Sequence, residues 1–240
     1  MMLVVVFLAG IIRGFAGFGS ALLIVPTLAA LYGPAQAVAI EVMIEIPVAL
    51  GLLPSALRDA ERRTVLPMLL MFLVFVPLGA ILLNWTDPTI VKMVISIFVL
   101  AMVGVIAQQT RLAAFLSPRA AWGIGAISGL SQGMTAMAGP LFVTALLARG
   151  DSAKRVRANT ILLAGGLISL AFVSFAWLGM ITADTIAKAV LACPAMCLGV
   201  WAGSVAFRRL SHWNLRGVIL VFLATAAIVT LTQAVMALWG

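Results

Sequence analysis

Eight apolar runs separated by short polar joints occupy almost all of this 240-residue chain. The runs cover 3–31, 36–56, 65–84, 89–109, 120–148, 158–180, 185–207 and 215–239. About 20 helical residues cross the hydrocarbon core of a bilayer, so six of the runs each fit one crossing. The runs at 3–31 and 120–148 are too long for a single straight crossing. The fold therefore has to accommodate two runs that are longer than one straight membrane crossing.

The composition places the chain in a membrane. Hydrophobic residues make up 64% of it and charged residues only 9%, whereas soluble domains are about 25% charged. No run alternates with a period of two, so the crossings are predicted to be helices and not barrel strands. The formal charge of +8 sits in short joints between apolar runs. Because no soluble basic face exists, we expect no nucleic-acid partner.

Both long runs contain a glycine-rich break. The first break is RGFAGFGSALLIVP at 13–26, and the second, at 132–145, aligns with it without a gap at an offset of 119 residues. Aligned positions include Gly14 with Gly133, Ser20 with Gly139 and Leu22 with Leu141. Irregular backbone at membrane depth survives only where protein buries it or where it lines a cavity. The alignment predicts that the chain is two copies of one unit, each built around its break.

The basic residues predict the topology. The joints 57–64, 110–119, 149–157 and 208–216 hold twelve of the fifteen Lys and Arg residues, while 32–35, 85–92 and 181–188 hold only two. Basic joints stay in the cytoplasm. Run 120–148 then has both ends in the cytoplasm, which predicts a re-entrant hairpin: a half-helix to about Gln132, a turn at 133–139 and a second half-helix from Pro140. By repeat symmetry, 3–31 enters from the outside.

We therefore predict an all-α polytopic membrane protein made of two inverted-topology repeats. Each repeat is a re-entrant helical hairpin followed by three transmembrane helices, and an odd number of crossings turns the second repeat upside down. Repeat 1–117 contains the hairpin 3–31 and the helices 36–56, 65–84 and 89–109. Repeat 118–240 contains the hairpin 120–148 and the helices 158–180, 185–207 and 215–239, so the C-terminus is external. The alternative of eight simple helices would place one loop against the charge rule.

The two breaks predict an anion site. Each exit half-helix would direct its unpaired N–H groups and positive dipole end to the bilayer midplane. Ser20 is expected to cap the first of these helices, and glycines let the backbone approach a ligand. The predicted substrate-binding residues are Arg13, Gly17, Gly19, Ser20, Gln132, Gly133, Thr135, Gly139 and Asn159. The alternative is that the glycines only allow close helix packing.

Arg13 lies near the bilayer middle, where a charge is costly and needs a partner. Glu41 and Glu45 are the acidic residues inside apolar runs, and their spacing of four places them on one helix face. In one interpretation, one carboxylate pairs with Arg13 and the other carries a proton during transport. In the other, all three residues form a static buried ion network. The sequence alone leaves both open.

Other kinds of chemistry have little support. No nucleophile with a base, no cluster of metal ligands and no phosphate-binding loop is visible, so we expect no enzyme, no metal and no cofactor. Cys193 and Cys197 lie four residues apart in an apolar run. Apolar packing beside Pro194 explains them, although a membrane thiol-redox or assembly protein remains a competing interpretation.

The paired breaks, one ending in Pro26 and one carrying Gly139-Pro140, resemble those of the TauE/SafE family of sulfite and organosulfonate exporters. Ser20 and Ala138 stand where that family has glycine. The resemblance implies a small anionic substrate, often sulfur-containing, moved by a secondary mechanism across the bacterial inner membrane. We therefore predict a secondary transporter of sulfite or small organosulfonates, proton-coupled through Glu41 or Glu45. An anion channel with the same site is an alternative, and pairing of two copies as a homodimer stays open.

Overall fold

A computed structural model describes residues 1–107, 120–149 and 152–209, and all regular structure in these ranges is helical. The helices are α1 (Met2–Ala16), α2 (Ser20–Tyr32), α3 (Pro34–Asp59), α4 (Arg62–Trp85), α5 (Pro88–Ala107), α6 (Ala120–Thr135), α7 (Gly139–Ala148), α8 (Ala153–Trp177) and α9 (Ala183–Arg209). The predicted helix 215–239 and the C-terminus lie outside the described residues.

Four of these helices contain segments long and apolar enough to cross a membrane. They are Pro34–Gly51, Arg62–Trp85, Arg155–Trp177 and Ala183–Ala206. Each corresponds to a run that the sequence predicts as a crossing, so the prediction of an all-helical, multi-pass protein is confirmed for the described ranges. The α1 and α2 helices, at 15 and 13 residues, are shorter.

Both long runs are broken into two helices, as their length predicts. In the first, Gly17 and Gly19 adopt the left-handed φ values of 82° and 100° between α1 and α2. In the second, residues 136–138 separate α6 from α7, and Ala136 has a φ of 56°. The second break is shorter than the expected turn at 133–139. Helix α6 continues to Thr135 because Gly133 is packed against the α4 backbone at Val76.

Helix α1 packs against α9 in a parallel direction. Gly10 lies against the backbone of Gly199, and one turn later Gly14 lies against the backbone of Val200 and Ser204. The Ser204 hydroxyl also donates to the Gly14 carbonyl at 3.3 Å. A side chain at either glycine would collide with α9. Small residues of this kind let two helix backbones approach closely in a membrane.

Helix α6 packs against α4 in the same way. Gly129 contacts Phe72, and one turn later Gly133 contacts Ala80, so these two helices are also parallel. Gly129 and Gly133 are the positions that align with Gly10 and Gly14 at the offset of 119. The first helix of each half therefore packs through matching glycines against a long helix of the other half.

Polar contacts identify the two ends of the helix bundle. At the end that we call the basic end, Glu61 at the start of α4 meets Arg149 after α7 at 3.1 Å. The Glu61 N–H also donates to Asn159 Oδ1 of α8 at 2.8 Å. Exposed arginines surround this end. The starts of α4 and α8 and the end of α7 therefore lie together.

The opposite end, which we call the far end, joins the starts of α1, α3 and α9. Gln36 Nε2 donates to Asp184 Oδ2 at 2.6 Å. The Tyr32 hydroxyl, at the end of α2, contacts Met2 Sδ at 4.0 Å. Helix α1 consequently starts, and α2 ends, at the same end of the bundle.

Candidate functional site

The two glycine breaks border one cavity. It has a volume of about 50 Å³ and is lined by the starts of α2 and α7 together with residues of α1, α3, α6 and α8. Seven of the residues that the sequence singles out line it: Arg13, Gly19, Ser20, Glu41, Glu45, Gln132 and Gly139. The cavity thus brings together seven predicted residues that are up to 126 positions apart in the chain.

The starts of α2 and α7 present backbone to this cavity. The first N–H groups of an α-helix have no acceptor within the helix. In α2 the Leu22 N–H bonds to the Gly19 carbonyl at 3.2 Å, so the N–H groups of Ser20 and Ala21 precede the first bond of the helix. In α7 the second residue is Pro140, which has no N–H. The α2 start therefore offers more donors to an anion than the α7 start.

Arg13 is held by two acceptors. Its Nε donates to Glu45 Oε2 at 2.9 Å, with both side chains buried. Its Nη1 donates to the carbonyl of Gly17, the residue that ends α1 in the left-handed conformation. Gly17 does not line the cavity itself, but its carbonyl holds the lining residue Arg13. The expectation that Arg13 pairs with one of the two glutamates is met by Glu45.

Ser20 bridges the two carboxyl groups. Its Oγ lies 2.9 Å from Glu41 Oε1 and 2.5 Å from Glu45 Oε1. Ser20 is also the first helical residue of α2, and the N-cap is Gly19, with no side-chain cap bond. The expected capping role of Ser20 is therefore wrong. Its hydroxyl bonds to the α3 carboxyl groups, while the left-handed backbone of Gly19 makes the turn into the helix.

Glu41 is the least satisfied of these groups. The residue is 2% exposed, and its Oε2 has no hydrogen-bond partner within the described part of the chain. A buried acceptor without a partner costs about 1–3 kcal/mol, and more if it is charged. Glu41 is thus the lining residue with a buried polar atom left for a proton or a ligand donor.

The walls of the cavity are apolar and were not predicted. Phe18, Met137, Phe142, Leu167 and Ile168 line it. A Cβ added at Gly139 would come within 3.2 Å of Phe18 Cβ, so the glycine keeps this wall open. In a chain this hydrophobic, an apolar side chain at a ligand site carries no signal that distinguishes it from lipid-facing or core positions.

Four of the nine predicted binding residues do not line the cavity: Gly17, Gly133, Thr135 and Asn159. Gly133 is packed on α4, and the Thr135 hydroxyl donates to the Ser131 carbonyl at 2.8 Å within its own helix. Asn159 is fully buried at the basic end, where Oδ1 accepts from Glu61 and Nδ2 has no partner among the described residues. Of these residues, Thr135 contacts the cavity lining, because its hydroxyl oxygen accepts from the Met137 N–H at 3.4 Å. The sequence missed Glu61 because a carboxylate in a polar joint looks solvated.

The ionisable groups of the cavity lining come from two helices. Arg13 of α1 supplies a positive charge, and Glu41 and Glu45 of α3 supply negative charges when ionised. If both glutamates are ionised, the formal sum is one negative charge, and a proton on either brings it to zero. Within the described ranges, no group of three or more Cys, His, Asp or Glu side chains is placed to hold a metal ion.

Comparison with known proteins gives one result. A family model described as sulfite exporter TauE/SafE matches residues 2–230. The match includes both glycine breaks and every helix described above. No curated protein and no solved structure gives a significant match.

Proposed function

Since the chain belongs to the TauE/SafE sulfite exporter family, we propose that it carries sulfite or a small organosulfonate in the cavity between α2 and α7. Family membership confirms the resemblance seen at the two breaks, and it makes the protein a multi-pass membrane transporter and not an enzyme. The single observation that carries the proposal is that both breaks border one cavity.

The lining of this cavity supports an anion. The α2 start contributes free N–H groups and the positive end of its dipole, and Arg13 and Gln132 add side-chain donors. One water needs about 10–15 Å³ of such space. A cavity of about 50 Å³ therefore suits a ligand of about four heavy atoms, the size of sulfite. A larger organosulfonate needs the apolar wall at Phe18 to move.

The architecture that goes with this proposal is the inverted repeat. Helix α1 starts and α2 ends at the far end, which supports a hairpin that enters and leaves there. Helix α6 runs parallel to α4 from the basic end, and α7 finishes beside Glu61 at that same end. These contacts support two re-entrant hairpins that enter from opposite sides and meet at the cavity, as in many secondary transporters.

The sidedness follows from the charges. The exposed arginines at the basic end include Arg58, Arg62, Arg63, Arg155 and Arg157, whereas the far end carries Lys92 and Lys188. We assign the basic end to the cytoplasm of a bacterial inner membrane by the positive-inside rule. In this assignment the basic end is the cytoplasmic side of the path to the cavity.

The two glutamates have different roles in this proposed function. Glu45 is the fixed partner of Arg13, because its Oε2 accepts the Arg13 Nε–H. Glu41 makes no ion pair with Arg13, and its second oxygen is unpartnered. We assign proton coupling to Glu41.

Binding tests the proposed function directly. The purified protein should gain thermal stability with sulfite, and less or none with acetate or chloride, since a ligand at 100 times its Kd stabilises by about 2.7 kcal/mol. Gly139→Val should insert and purify but lose this gain, because the new side chain occupies the cavity wall. Gly123→Val is the matched control, since a Cβ there meets nothing within 4 Å. Normal binding by the Gly139 variant would move the site elsewhere.

Two measurements separate the alternative functions. A carrier turns over slowly and saturates, whereas an anion channel with the same site conducts without alternating access. Sulfite flux into proteoliposomes, with its dependence on sulfite concentration, distinguishes them. Replacing Cys193 and Cys197 by alanine should leave the flux unchanged. Loss of flux would favour a thiol-based mechanism, although both cysteines are unpaired and Cys197 is exposed on α9.

A further inference from the structure

We propose that the cavity binds its anion only when Glu41 carries a proton, so that one anion and one proton bind together and cross in the same direction. This inference rests on the proposed function and sets the sign of its coupling. It concerns three groups on three helices: Arg13 on α1, Ser20 on α2 and the pair Glu41 and Glu45 on α3.

The Ser20 hydroxyl faces two carboxyl groups with a single proton of its own. A serine hydroxyl has one proton to donate, yet Oγ lies within hydrogen-bond distance of one oxygen from each carboxyl group, at 2.9 and 2.5 Å. With both carboxyl groups ionised, one oxygen would face the lone pairs of Oγ. Both contacts become hydrogen bonds when one carboxyl group carries a proton and donates it to Oγ. The geometry therefore fits one proton held by the pair.

The second step assigns that proton to Glu41. Glu45 accepts from Arg13 through Oε2, so its charge is balanced by a buried cation. Glu41 makes no ion pair among the described contacts, and its Oε2 is buried without a partner. A buried charge without a cation or donors is far costlier than a neutral carboxyl group. Glu41 is thus neutral in the arrangement that the structure shows.

The third step is that no other group near the pair sets the charge. The lining residues of α2, α6, α7 and α8 include no ionisable side chain. Helices α5, α8 and α9 also pack on α3, but none of their described ionisable side chains lines the cavity. Those side chains are Lys92 of α5, Arg155 and Arg157 of α8, and Asp184, Lys188, Cys193 and Cys197 of α9. The charge of the cavity therefore changes with Glu41 alone.

The consequence follows from linkage. With Glu41 neutral, Arg13 and Glu45 cancel, and the dipole end of α2 attracts an anion. With Glu41 ionised, the lining carries a net negative charge that repels it. Binding of the anion and binding of the proton strengthen each other by the same factor. Exchange of an anion for a proton would require that proton binding weaken anion binding, and this lining does not provide such a coupling.

The transfer is balanced in protons and charge. A proton from water on one side of the membrane binds a Glu41 carboxyl oxygen, the anion binds beside it, and both leave to the other side. No covalent bond to the anion forms. Glu45 stays ionised with Arg13 throughout, and Ser20 donates to Glu45 while accepting from Glu41.

Proton uptake on binding tests the inference. Calorimetric titration in two buffers of different ionisation enthalpy counts the protons exchanged by the purified protein. Methanesulfonate is the first probe, because it keeps a single negative charge over the pH range used. Sulfite is measured in parallel on wild type and Glu41→Gln, so that the protons exchanged by sulfite itself cancel in the difference. Uptake should rise from zero at acidic pH to about one proton per anion at alkaline pH.

The affinity and the variant give independent readouts. In the alkaline range, wild-type affinity should fall about tenfold per pH unit, while Glu41→Gln should bind with nearly constant affinity and no proton uptake. Glu41→Asn is a second neutral variant if the first does not purify, and the wild-type titration with methanesulfonate needs no variant. Proton release, or binding without exchange at every pH, overturns the inference and leaves the binding site intact. Absence of anion binding at any pH contradicts the proposed function itself.

Discussion

Arg13 and Glu45 act as one unit because each would otherwise be a buried, unpaired charge. Removing one partner of such a pair costs about 3–5 kcal/mol, since the remaining charge stays buried. Glu41 lies one turn away on the same helix face but bonds to Ser20 and not to Arg13. The same substitution should therefore destabilise the protein at Glu45 and have little effect on stability at Glu41.

We predict that Glu45→Gln lowers the free energy of unfolding by about 3–5 kcal/mol and reduces the yield of purified protein. Glu41→Gln, the matched control one turn away, should stay close to wild type. Thermal unfolding in detergent measures both variants side by side. Equal losses of stability at the two positions would mean that both carboxylates stabilise Arg13. The separate role assigned to Glu41 would then be wrong.

The sequence revealed this cluster only in part, for physical reasons. A charge in an apolar run stands out, so Arg13, Glu41 and Glu45 could be found and paired. The role of Ser20 could not, because a serine before a helix normally caps it. Its bonds to Glu41 and Glu45 depend on how α2 packs on α3, which no local pattern encodes.

Among the helices, the matching glycine contacts of α1 with α9 and of α6 with α4 are the main organising feature. The repeated break at 13–26 and 132–145 predicted where the long runs divide. It did not predict that Gly10 and Gly133 pack against backbone of the other half. Glycines spaced by four indicate that another helix packs closely at that face, but they do not indicate which helix it is.

We predict that Gly133→Ala is destabilising by about 1–3 kcal/mol, the usual range for overpacking. The added Cβ would overlap the α4 backbone at Val76, which cannot move aside as a flexible side chain can. Gly14→Ala should behave alike against α9, and Gly123→Ala on the open face of α6 should be neutral. Thermal unfolding of the three variants checks this. A neutral Gly133 variant that fails to bind sulfite would instead favour its predicted binding role.

Across the described helices, two polar clusters connect the halves at opposite ends of the bundle. At the basic end, Arg149 bonds to Glu61. At the far end, Gln36 bonds to Asp184, and Lys188 Nζ lies 3.3 Å from Gln36 Oε1. The cavity lies between helices of both halves, so these clusters are the natural points at which access from either side can open and close.

We predict that both ends of α6–α7 are reached from the cytoplasm. In a background without Cys193 and Cys197, single cysteines at Ala120 and Ser152 should react with a membrane-impermeant thiol reagent from the cytoplasmic side. A cysteine at Thr89, beyond the far end of α4, should react only from outside. Sidedness is read in oriented membrane vesicles. Labelling of Ala120 and Ser152 from opposite sides would rule out the hairpin and the inverted repeat with it. Arg119, the basic residue directly before Ala120, lies outside the described residues.

The last prediction concerns the basic end as a gate. Arg149 and Glu61 are about one-third exposed, and exposed ion pairs contribute only about 0–1 kcal/mol. Breaking the pair should therefore spare folding but shift the balance between closed and open forms at that end. A cysteine at Ala164, which lines the cavity, reports access.

In Glu61→Gln, this cysteine should react severalfold faster from the cytoplasmic side, with unchanged thermal stability. The matched far-end variant Asp184→Asn should raise reactivity from outside instead, because Asp184 holds Gln36 and Lys188 there. The two variants thus act on one reporter from opposite sides. If neither changes the rate, the clusters only fasten the bundle, and access to the cavity is controlled closer to it, at the apolar wall formed by Phe18 and Phe142.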